Sequence, residues 1–404
     1  MPQLADNKHC TGCMCCKDSC KQYSISIVED KNGLWYPIVD MQKCTNCHLC
    51  EKRCQDVCNG ILLQKNPINN YVPYTAWNTN YDQRSLSTSG GVFAALASTI
   101  LNEGGVICGA TIDNNRVKHI FISSLEELPL IQGVKYIQSN LQGIYQQVRM
   151  YLETKRSVLF TGTPCQVAAL YSYLGKKRDE TRLYTAEVIC HGVVSNLILD
   201  KHLEYNHAKQ IISFRTKSLG WGKDTYITAI KKGEKVVLQN RHKNFFYHAF
   251  TSDSVTRLSC YECRYATIER IADLTMGDYW GNKQPQEEAS KGISLLIANN
   301  IHGQQLIARC TNLHIETTDW KLCLPRNPRL YCDKHECKKI AITTYLYFLF
   351  TYTPRFIAKN IIGPRITKRS FLAYLRAIYI AKQKKRIDQR VEIELKQTLK
   401  KLQK

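Results

Sequence analysis

The sequence is poor in acidic residues and has no long apolar run. Its 404 residues include 34 Asp and Glu against 56 Lys and Arg, which gives a formal net charge of +22. The segment Met1–Asn7 is short and polar and Cys10 follows almost at once, so we expect no signal peptide. Only 15 uncharged residues separate Lys339 from Arg355, fewer than the roughly 18–20 that span a bilayer. These absences predict a cytoplasmic protein.

The positive charge is concentrated at the C-terminal end of the chain. Residues 338–404 contain 17 Lys and Arg against 3 Asp and Glu, whereas the other 337 residues contain 39 against 31. A nucleic-acid-binding protein carries its cations on a patch or groove, often interleaved with aromatic side chains. We therefore expect no nucleic-acid partner, and a basic helical tail over residues 338–404.

The tail combines an aromatic run, Tyr345–Phe350, with the basic segment Phe371–Lys404. Apolar anchors together with Lys and Arg are typical of segments that lie on an anionic membrane surface. The same sequence also suits a helix that buries its aromatic side against the rest of the protein. Peripheral contact with the inner face of the membrane and ordinary packing both remain open.

Nineteen cysteines are present, an unusual number for a chain without an export signal. In a reducing compartment, grouped thiols are more often metal ligands or redox groups than disulfides. Eight of them form two runs with the spacing C-x2-C-x2-C-x3-C. The first run is Cys10, Cys13, Cys16 and Cys20, and the second is Cys44, Cys47, Cys50 and Cys54.

This spacing predicts two 4Fe–4S clusters with interlocked ligands. Three closely spaced thiolates bind one cluster, and the fourth cysteine of the run binds the other. The expected ligand sets are Cys10, Cys13, Cys16 and Cys54 for the first cluster, and Cys44, Cys47, Cys50 and Cys20 for the second. Cys15 and Cys58 fall outside the pattern. Zinc is the alternative, but zinc sites prefer paired C-x2-C knuckles.

Beyond a turn-rich linker at Asn66–Tyr74, strand and helix signals alternate up to about residue 330. This alternation predicts a layered α/β domain. We expect strands at Gly105–Thr111, Ser157–Phe160 and Leu183–Cys190, and helices at Gly91–Leu101 and Gln166–Leu174.

Two short stretches of this domain are suited to anion binding. Ser89-Gly90-Gly91 precedes an apolar helix, and a Gly-rich turn at a helix N-terminus presents backbone N–H groups to an anion such as a pyrophosphate. Lys135, Gln138 and Ser139 supply a cation and two hydrogen-bonding side chains. Taken alone, the first stretch is compatible with an ordinary turn and the second with an exposed amphipathic strand.

Six short blocks together resemble one family. They are Ser87–Phe93, Gly133–Ser139, Thr161–Gln166, Ile189–Gly192, Cys260–Cys263 and Ala272–Gly281. The chain from residue 1 to about 335 is similar to the coenzyme F420 hydrogenase/dehydrogenase beta-subunit family, in the bacterial branch with an N-terminal 4Fe–4S dicluster domain. That branch is often encoded with polysaccharide-biosynthesis enzymes.

The resemblance implies FAD and iron–sulfur clusters, with electrons passing between the clusters and a substrate docked on the flavin. The implied fold class is α+β: a bacterial-ferredoxin-like dicluster domain (residues 1–66), a layered α/β FAD-binding domain (residues 74–335) and the basic helical tail. The cofactor-binding residues that we infer are Ser89, Gly90, Gly91, Lys135, Gln138, Ser139, Thr163 and Asp278. For Asp278, flavin contact and the capping of a turn remain open.

A third 4Fe–4S cluster is also expected. Cys165 and Cys190 each follow a predicted strand, where ligand-binding loops of α/β domains gather. Cys260 and Cys263 add a C-x2-C pair, and all four occupy matching positions in the family blocks. The alternative is that Cys165 and Cys190 are small buried apolar residues, as free cysteines often are. Cys108, Cys310, Cys323, Cys332 and Cys337 show no ligand pattern.

His191 is the predicted proton donor near the flavin, because imidazole titrates near neutrality. A packed structural histidine is equally compatible with the sequence. The function that we infer is a cytoplasmic FAD- and iron–sulfur-dependent oxidoreductase, which takes electrons from a ferredoxin-like donor protein and acts on an unknown organic substrate. The alternative is an electron-transfer subunit without a substrate of its own.

Overall fold

The computed structural model describes most of the chain, namely residues 2–57, 66–175, 178–222, 227–239, 244–251, 255–334 and 391–401. The aromatic run Tyr345–Phe350, most of the basic tail, Cys58 and Cys337 lie outside these residues. Within them, no helix is long and apolar enough to cross a membrane.

The N-terminal part consists of two similar halves around a hairpin. Each cysteine run leads into a short helix, α1 (Cys15–Ser19) in the first half and α2 (Leu49–Arg53) in the second. The residues before the helices, Met14 and His48, both adopt the left-handed conformation, with φ of 65° and 55°. Between the halves, β1 (Ile25–Glu29) pairs antiparallel with β2 (Trp35–Val39). The repeated spacing therefore produces a repeated local structure.

The rest of the chain is built on two sheets. Their strands are β3 (Val72–Asn78), β4 (Val106–Asp113), β5 (Arg116–Ile122), β6 (Val158–Gly162), β7 (Leu183–Val188), β8 (Gln210–Thr216), β9 (Ile227–Lys232), β10 (Lys235–Gln239), β11 (Leu274–Asp278), β12 (Ser294–Ala298) and β13 (Leu313–Thr317). The large sheet has the order β13-β3-β12-β11-β7-β6-β4-β5, and the small antiparallel sheet has the order β10-β9-β8.

The helices that accompany these sheets are α3 (Tyr81–Leu86), α4 (Val92–Asn102), α5 (Ile144–Glu153), α6 (Pro164–Leu174), α7 (Asn196–Tyr205), α8 (Phe245–Thr251), α9 (Gln286–Ser290), α10 (Ile301–Arg309) and α11 (Trp320–Cys323). Residues 391–401 form a further helix, α12. The expectation of an α+β chain with a layered α/β part is confirmed at this level.

The centre of the large sheet is parallel. The four adjacent strands β4, β6, β7 and β11 are parallel to one another, whereas the pairs on either side of them are antiparallel. Both faces of the centre are covered, which explains why β6 and β12 are apolar runs without alternation. Helices α5 and α6 cover one face and α4 and α10 the other. The carboxyl ends of the parallel strands therefore meet at one edge.

The N-terminal part shares its core with the sheet domain. Met14 and Cys15 belong to the same buried cluster as Phe160 of β6 and Leu170 of α6. The Cys15 thiol donates to the carbonyl of Ala169 at 3.5 Å. Because the two parts bury a common surface, the N-terminal part is docked rigidly against α5 and α6. The domain boundary at residue 66 stays a sequence-based prediction.

Asp18 forms the polar contact at this docking surface. Its carboxylate is buried and accepts hydrogen bonds from the backbone N–H groups of Gly143 at 2.7 Å and Tyr145 at 3.2 Å. These N–H groups lie at the first turn of α5 and have no partner within the helix, so an aspartate from another part of the chain caps it. The Tyr145 hydroxyl returns a hydrogen bond to the carbonyl of Cys13 at 2.9 Å.

The described part of the tail packs on the protein. Val391, Leu395 and Leu399 recur at a spacing of four on one side of α12 and lie against the cluster that contains Tyr71 and Leu324. For residues 391–401 the packing interpretation of the tail therefore applies. Membrane contact by the remaining tail residues stays a prediction.

We predict that Asp18→Ala lowers the stability of the protein by about 1–2 kcal/mol, the usual cost of losing a helix cap. Asp18→Asn keeps an acceptor oxygen and should cost less. The measurement is the thermal unfolding midpoint of anaerobically purified protein. The control is Asp113→Ala, which removes an exposed carboxylate that pairs with Lys118. Equal midpoints for Asp18→Ala and the control would contradict a capping role.

Candidate functional site

The candidate site lies at the carboxyl ends of the parallel strands. Thr163 and Cys165 follow β6, Cys190 and His191 follow β7, and Asp278 ends β11. In α/β sheets, ligands bind in the crevice at this edge. Because the three strands are parallel, the predicted site residues that follow or end them lie at the same edge of the sheet.

The four thiols of the predicted third cluster surround one small cavity. Cys165, Cys190, Cys260 and Cys263 all line a space of about 200 Å³. Burial, and after it the nearby thiols of Cys260 and Cys263, raise the pKa of Cys190 to about 12. Burial likewise raises the pKa of Cys165, to which the Cys190 thiol adds. The loops after β6 and β7 and the C-x2-C pair thus converge, as the sequence predicts.

The chemistry of this donor set suits an iron–sulfur cluster. In the described residues, no group of three or more His, Cys, Asp or Glu side chains is placed to hold a single metal ion. A 4Fe–4S cluster makes a different demand, because each thiolate binds its own iron around a shared core. Four thiols around a cavity meet that demand, and ligation would displace their protons. The residues present fit the group.

The thiols of the predicted first cluster also lie together. Burial raises the pKa of Cys13 to about 12, with a contribution from the thiols of Cys54 and Cys10. The pKa of Cys16 is raised by burial and then by the thiols of Cys13, Cys10 and Cys54. Cys54 comes from the second run, so its place beside the first run is the interlocked arrangement that the spacing predicts.

The second set lies nearer to solvent. Burial raises the pKa of Cys50, and the charge of Cys20, from the first run, contributes. Cys47 is exposed and Cys44 is partly exposed. Cys20 itself contacts the Ser24 hydroxyl at 3.1 Å. This set therefore forms the outer of the three thiol groups.

A second and larger cavity of about 560 Å³ adjoins the thiol-lined one. Its walls include Gly192 and Val193, which line the smaller cavity as well. Six of the eight predicted cofactor-binding residues line it: Ser89, Gly91, Lys135, Ser139, Thr163 and Asp278. A mainly apolar space of this size with a few polar groups is typical of a cofactor site.

The N-terminus of α4 opens on the larger cavity. Gly91 is the N-cap with φ of 83°, a conformation that glycine adopts without strain. Gly90 is packed so closely that a Cβ there would meet the carbonyl of Ala76 and the backbone nitrogen of Ser294. Gly90 therefore allows the close packing of this turn against β3 and β12 and does not line the cavity, whereas Ser89 and Gly91 do. A helix N-terminus of this kind presents backbone N–H groups, which suit a pyrophosphate.

Lys135 is a partly buried lysine without an anionic partner in the described residues. Its ammonium donates to the carbonyl of Gln132 at 2.7 Å, and no carboxylate in that part of the chain forms an ion pair with it. Burial lowers the pKa of Lys135 to about 7. An anionic phosphate in the cavity would restore the charge of this amine, which is an observation in favour of a phosphate-bearing cofactor.

Ser139 belongs to a neutral hydrogen-bond relay. His119 contacts the Ser139 hydroxyl through Nδ1 at 2.7 Å and the carbonyl of Thr161 through Nε2 at 3.0 Å. Burial lowers the pKa of His119 to about 4, so the ring is neutral. Nε2 must donate to the carbonyl, and Nδ1 therefore accepts from Ser139. The oxygen lone pairs of Ser139 remain available to a ligand.

Two predicted cofactor residues have other partners. Gln138 lines the smaller cavity instead, where its amide donates to the carbonyl of Gly12 at 3.1 Å and accepts from Arg257 at 2.9 Å. The Thr163 hydroxyl lies 3.1 Å from the Cys165 sulfur and takes part in the capping box of α6. Both side chains contact the thiol loops more directly than the larger cavity.

Asp278 is neutralised within the protein. Its two oxygens accept from the guanidinium of Arg215 at 2.6 and 2.9 Å, and Trp221 adds a hydrogen bond at 3.1 Å. Arg215 in turn lies 5.5 Å from the ring of Trp280, which stacks on Trp221. The carboxylate thus orders one aromatic wall of the cavity.

His191 lies between the two cavities and lines both. Its ring is 4.8 Å from that of Phe250, which stacks on Tyr136 at 4.3 Å. Arg329 also lines both cavities. The histidine is therefore placed beside the thiol set and the cofactor space at once, and its role as a proton donor stays a prediction.

Sequence inspection missed several residues of this site: His119, Arg215, Arg257, Phe250 and Arg329. None belongs to a motif with characteristic spacing. Arg215 lies on the small sheet and Arg329 follows β13, so their approach to the cavity depends on how distant elements pack. For His119, the alternation of β5 was the only local signal, since its side chain points inward from the strand.

Comparison with known proteins identifies part of the chain. Residues 155–321 match the family model that describes the C terminus of the beta subunit of coenzyme F420 hydrogenase/dehydrogenase. The structure is similar to a chain of the F420-reducing NiFe hydrogenase complex from Methanosarcina barkeri, with 16% sequence identity and a TM-score of 0.46 over 73% of this chain and 96% of that chain. No curated protein matches the sequence. The family match confirms the family expectation for residues 155–321, and the N-terminal dicluster branch stays a prediction.

We predict that Cys20→Ser damages the outer cluster and leaves the one at Cys10, Cys13 and Cys16 largely intact. Iron analysis and electron paramagnetic resonance (EPR) of the reduced protein measure this change. Cys15→Ser is the control, because Cys15 is buried against α6 outside both sets. Loss of the inner cluster signal in Cys20→Ser would show that the ligands are not interlocked.

A second prediction concerns the third thiol set. Cys190→Ser should remove about four iron atoms per chain, the content of one cluster. Cys108→Ser is the matched control, since Cys108 is fully buried in β4 of the same sheet but faces neither cavity. These point variants are preferable to a deletion of residues 1–66, because the deletion would expose the core that the N-terminal part shares with α5 and α6. Unchanged iron in Cys190→Ser would leave a two-cluster protein.

Proposed function

We propose, on the premise that residues 155–321 belong to the beta-subunit family of coenzyme F420 hydrogenase/dehydrogenase, that this chain is an iron–sulfur flavoprotein oxidoreductase. The family is that of an oxidoreductase subunit, which gives the chain a redox role. The observation that carries the finer proposal is the shared wall between the cavity lined by Cys165, Cys190, Cys260 and Cys263 and the larger cavity.

The three thiol sets suggest an order of electron transfer. The outer set includes the exposed Cys47, and the inner set is interlocked with it through Cys20 and Cys54. Thr11, next to Cys10 of the inner set, lines the cavity of the third set. Electrons would enter at the outer cluster, pass the inner and third clusters, and reach the larger cavity.

The lining of the larger cavity supports FAD as the cofactor. Lys135 and the N–H groups at Gly91 would hold the pyrophosphate, and the hydroxyl of Ser139 would bond a polar edge of the flavin. The stacked rings of Tyr136 and Phe250 exclude water from one side. When bound, a flavin converts single-electron transfer into two-electron chemistry. The imidazole of His191 would then deliver a proton to an organic substrate.

An external donor of the ferredoxin type would dock at the outer cluster. Three large apolar side chains are exposed beside it, namely Tyr23 at 78%, Ile38 at 53% and Met41 at 45%. Such a rim is typical of a surface that makes transient contacts with a redox partner. The resemblance of the chain to that branch supports a substrate from polysaccharide biosynthesis. If the tail binds the membrane, the reaction would take place at its inner face.

A second candidate is an electron-transfer subunit that serves a partner enzyme. The matched family is named for a beta subunit, which favours this interpretation. The two candidates differ in what covers the larger cavity. A partner enzyme that co-purifies and closes this cavity would support the second candidate, whereas flavin oxidation by small organic acceptors without a partner would support the self-contained enzyme.

The first test is the cofactor content of anaerobically purified protein. We expect about twelve iron atoms and as many sulfides per chain, one FAD and no zinc, as three four-iron clusters and one flavin require. Zinc in place of iron, or the absence of flavin, would contradict the proposal.

The second test addresses Lys135. A hydrogen bond to a charged group is worth about 1.5–3 kcal/mol, so Lys135→Met should weaken FAD binding about tenfold or more without loss of iron. Because the pKa of Lys135 is lowered to about 7, binding of an anion takes up a proton, and FAD affinity of the wild type should rise as the pH falls through 7.

Fluorescence titration of flavin-depleted protein measures both effects. The control is Lys118→Met, an exposed lysine at the edge strand β5. If Lys135→Met retains the affinity and the pH dependence of the wild type, the phosphate is not held at this amine.

A further inference from the structure

Arg257 is a fully buried cation between two thiol sets. Its exposed fraction is 0%, and it lies in the loop that leads to Cys260. We propose that Arg257 couples the first and third cluster sites: it fixes the loops of Cys10 and Cys260 to each other, and its charge raises the reduction potentials of both clusters. This inference rests on the proposed function, because it presupposes the clusters.

All three side-chain nitrogen atoms of Arg257 donate hydrogen bonds, two to the N-terminal part and one to the sheet domain. Nε donates to the carbonyl of Cys10 at 2.6 Å, and Nη2 donates to the carbonyl of Trp35 at 2.9 Å. Nη1 donates to the Gln138 amide oxygen at 2.9 Å. The guanidinium also lies over the ring of Tyr36 at 4.2 Å. The arginine is therefore held in one orientation.

The backbone of Arg257 is bonded to the loops of the third set. Its carbonyl accepts from the N–H of Cys260 at 2.9 Å, and its own N–H donates to the carbonyl of Val193, three residues after Cys190. One residue thus links a ligand of the first set with two loops of the third. A change in the position of either loop would have to break one of these bonds.

The first cysteine loop approaches the guanidinium closely. Gly12 has φ of 66°, and a Cβ at this position would meet the Gln138 amide and Arg257. A side chain could not be placed there without displacing the arginine. The loop, the arginine and Gln138 therefore form one packed unit between the two thiol sets.

The charge of Arg257 has no carboxylate partner in the described residues. All of the hydrogen-bond acceptors of Arg257 are neutral. The carboxylate of Asp56 interacts electrostatically with Arg257, but it forms its ion pair with Arg264, at 3.7 Å. A buried, uncompensated cation is costly. Clusters held by four thiolates carry net negative charge, so the bound clusters would compensate it.

The electrostatic consequence has a definite sign. Reduction adds one electron and no other charge to a cluster, which makes it more negative. A nearby buried cation stabilises the reduced form more than the oxidised form and raises the potential. The charge carried by Arg257 therefore favours electron arrival at the first and third clusters over the outer one.

The test uses the full-length, anaerobically purified holoprotein in an EPR-monitored reductive titration. In Arg257→Gln, the equilibrium constant for reduction should fall at least tenfold at two clusters, a shift of about 59 mV to lower potential for a one-electron couple. The outer cluster should not move, because solvent screens it. Arg257→Lys keeps the charge and should leave all three potentials near those of the wild type.

Gln138→Glu provides a second route that keeps the arginine. It places a carboxylate on Nη1 and neutralises the cation, so the same two potentials should fall although Arg257 is present. If Arg257→Gln does not assemble its clusters, the reduction potentials of Gln138→Glu and Arg257→Lys test the inference instead. Arg149→Gln is the control for loss of one charge, because Arg149 is partly exposed on α5.

Two results would overturn the inference. One is a set of three unchanged potentials in Gln138→Glu and Arg257→Gln, and the other is an equal shift in Arg257→Lys and Arg257→Gln. Absence of a third cluster in the wild type would instead refute the proposed function. Because iron content and EPR signals of the wild type are measured first, the two failures are distinguishable.

Discussion

The parallel pairing of β6 with β7 determines where the chemistry of this protein is located. It brings Cys165, in the first turn of α6, and Cys190, in the loop after β7, to the same edge of the sheet, although the two thiols are 25 positions apart in the sequence. The same edge receives Asp278 from β11. Since a parallel connection needs a covering helix, α6 lies between these strands, and its outer surface becomes available to the N-terminal part.

That docking surface makes the N-terminal part and the sheet domain one structure. Cys15 packs against α6, and Asp18 caps α5 from outside. Electron transfer between clusters depends on fixed separations, and a shared core provides them. Arg257, which is removed from water at this interface, has a hydrogen-bond acceptor for each of its three side-chain nitrogen atoms.

Electrostatics connects the two cavities with the cofactors that we propose. Lys135 and Arg257 are cations whose hydrogen-bond acceptors are neutral. Lys135 lines the larger cavity, which suits a phosphate, and Arg257 is hydrogen-bonded to loops that carry the proposed thiolate ligands of two clusters. Asp278 shows the opposite arrangement, because Arg215 neutralises it within the protein. Net charge alone, dominated by the tail, does not reveal this distribution.

The sequence by itself determined the local structure and predicted the ligand residues. The predicted helix Gly91–Leu101 and strand Ser157–Phe160 lie within one or two residues of α4 and β6, because apolar runs and turn residues act locally. Cysteine spacing likewise indicated which thiols group together. Only the tertiary structure decided the partners of Gln138 and Asp278 and the place of Arg257. Their contacts join residues 57 or more positions apart, and no local pattern encodes such packing.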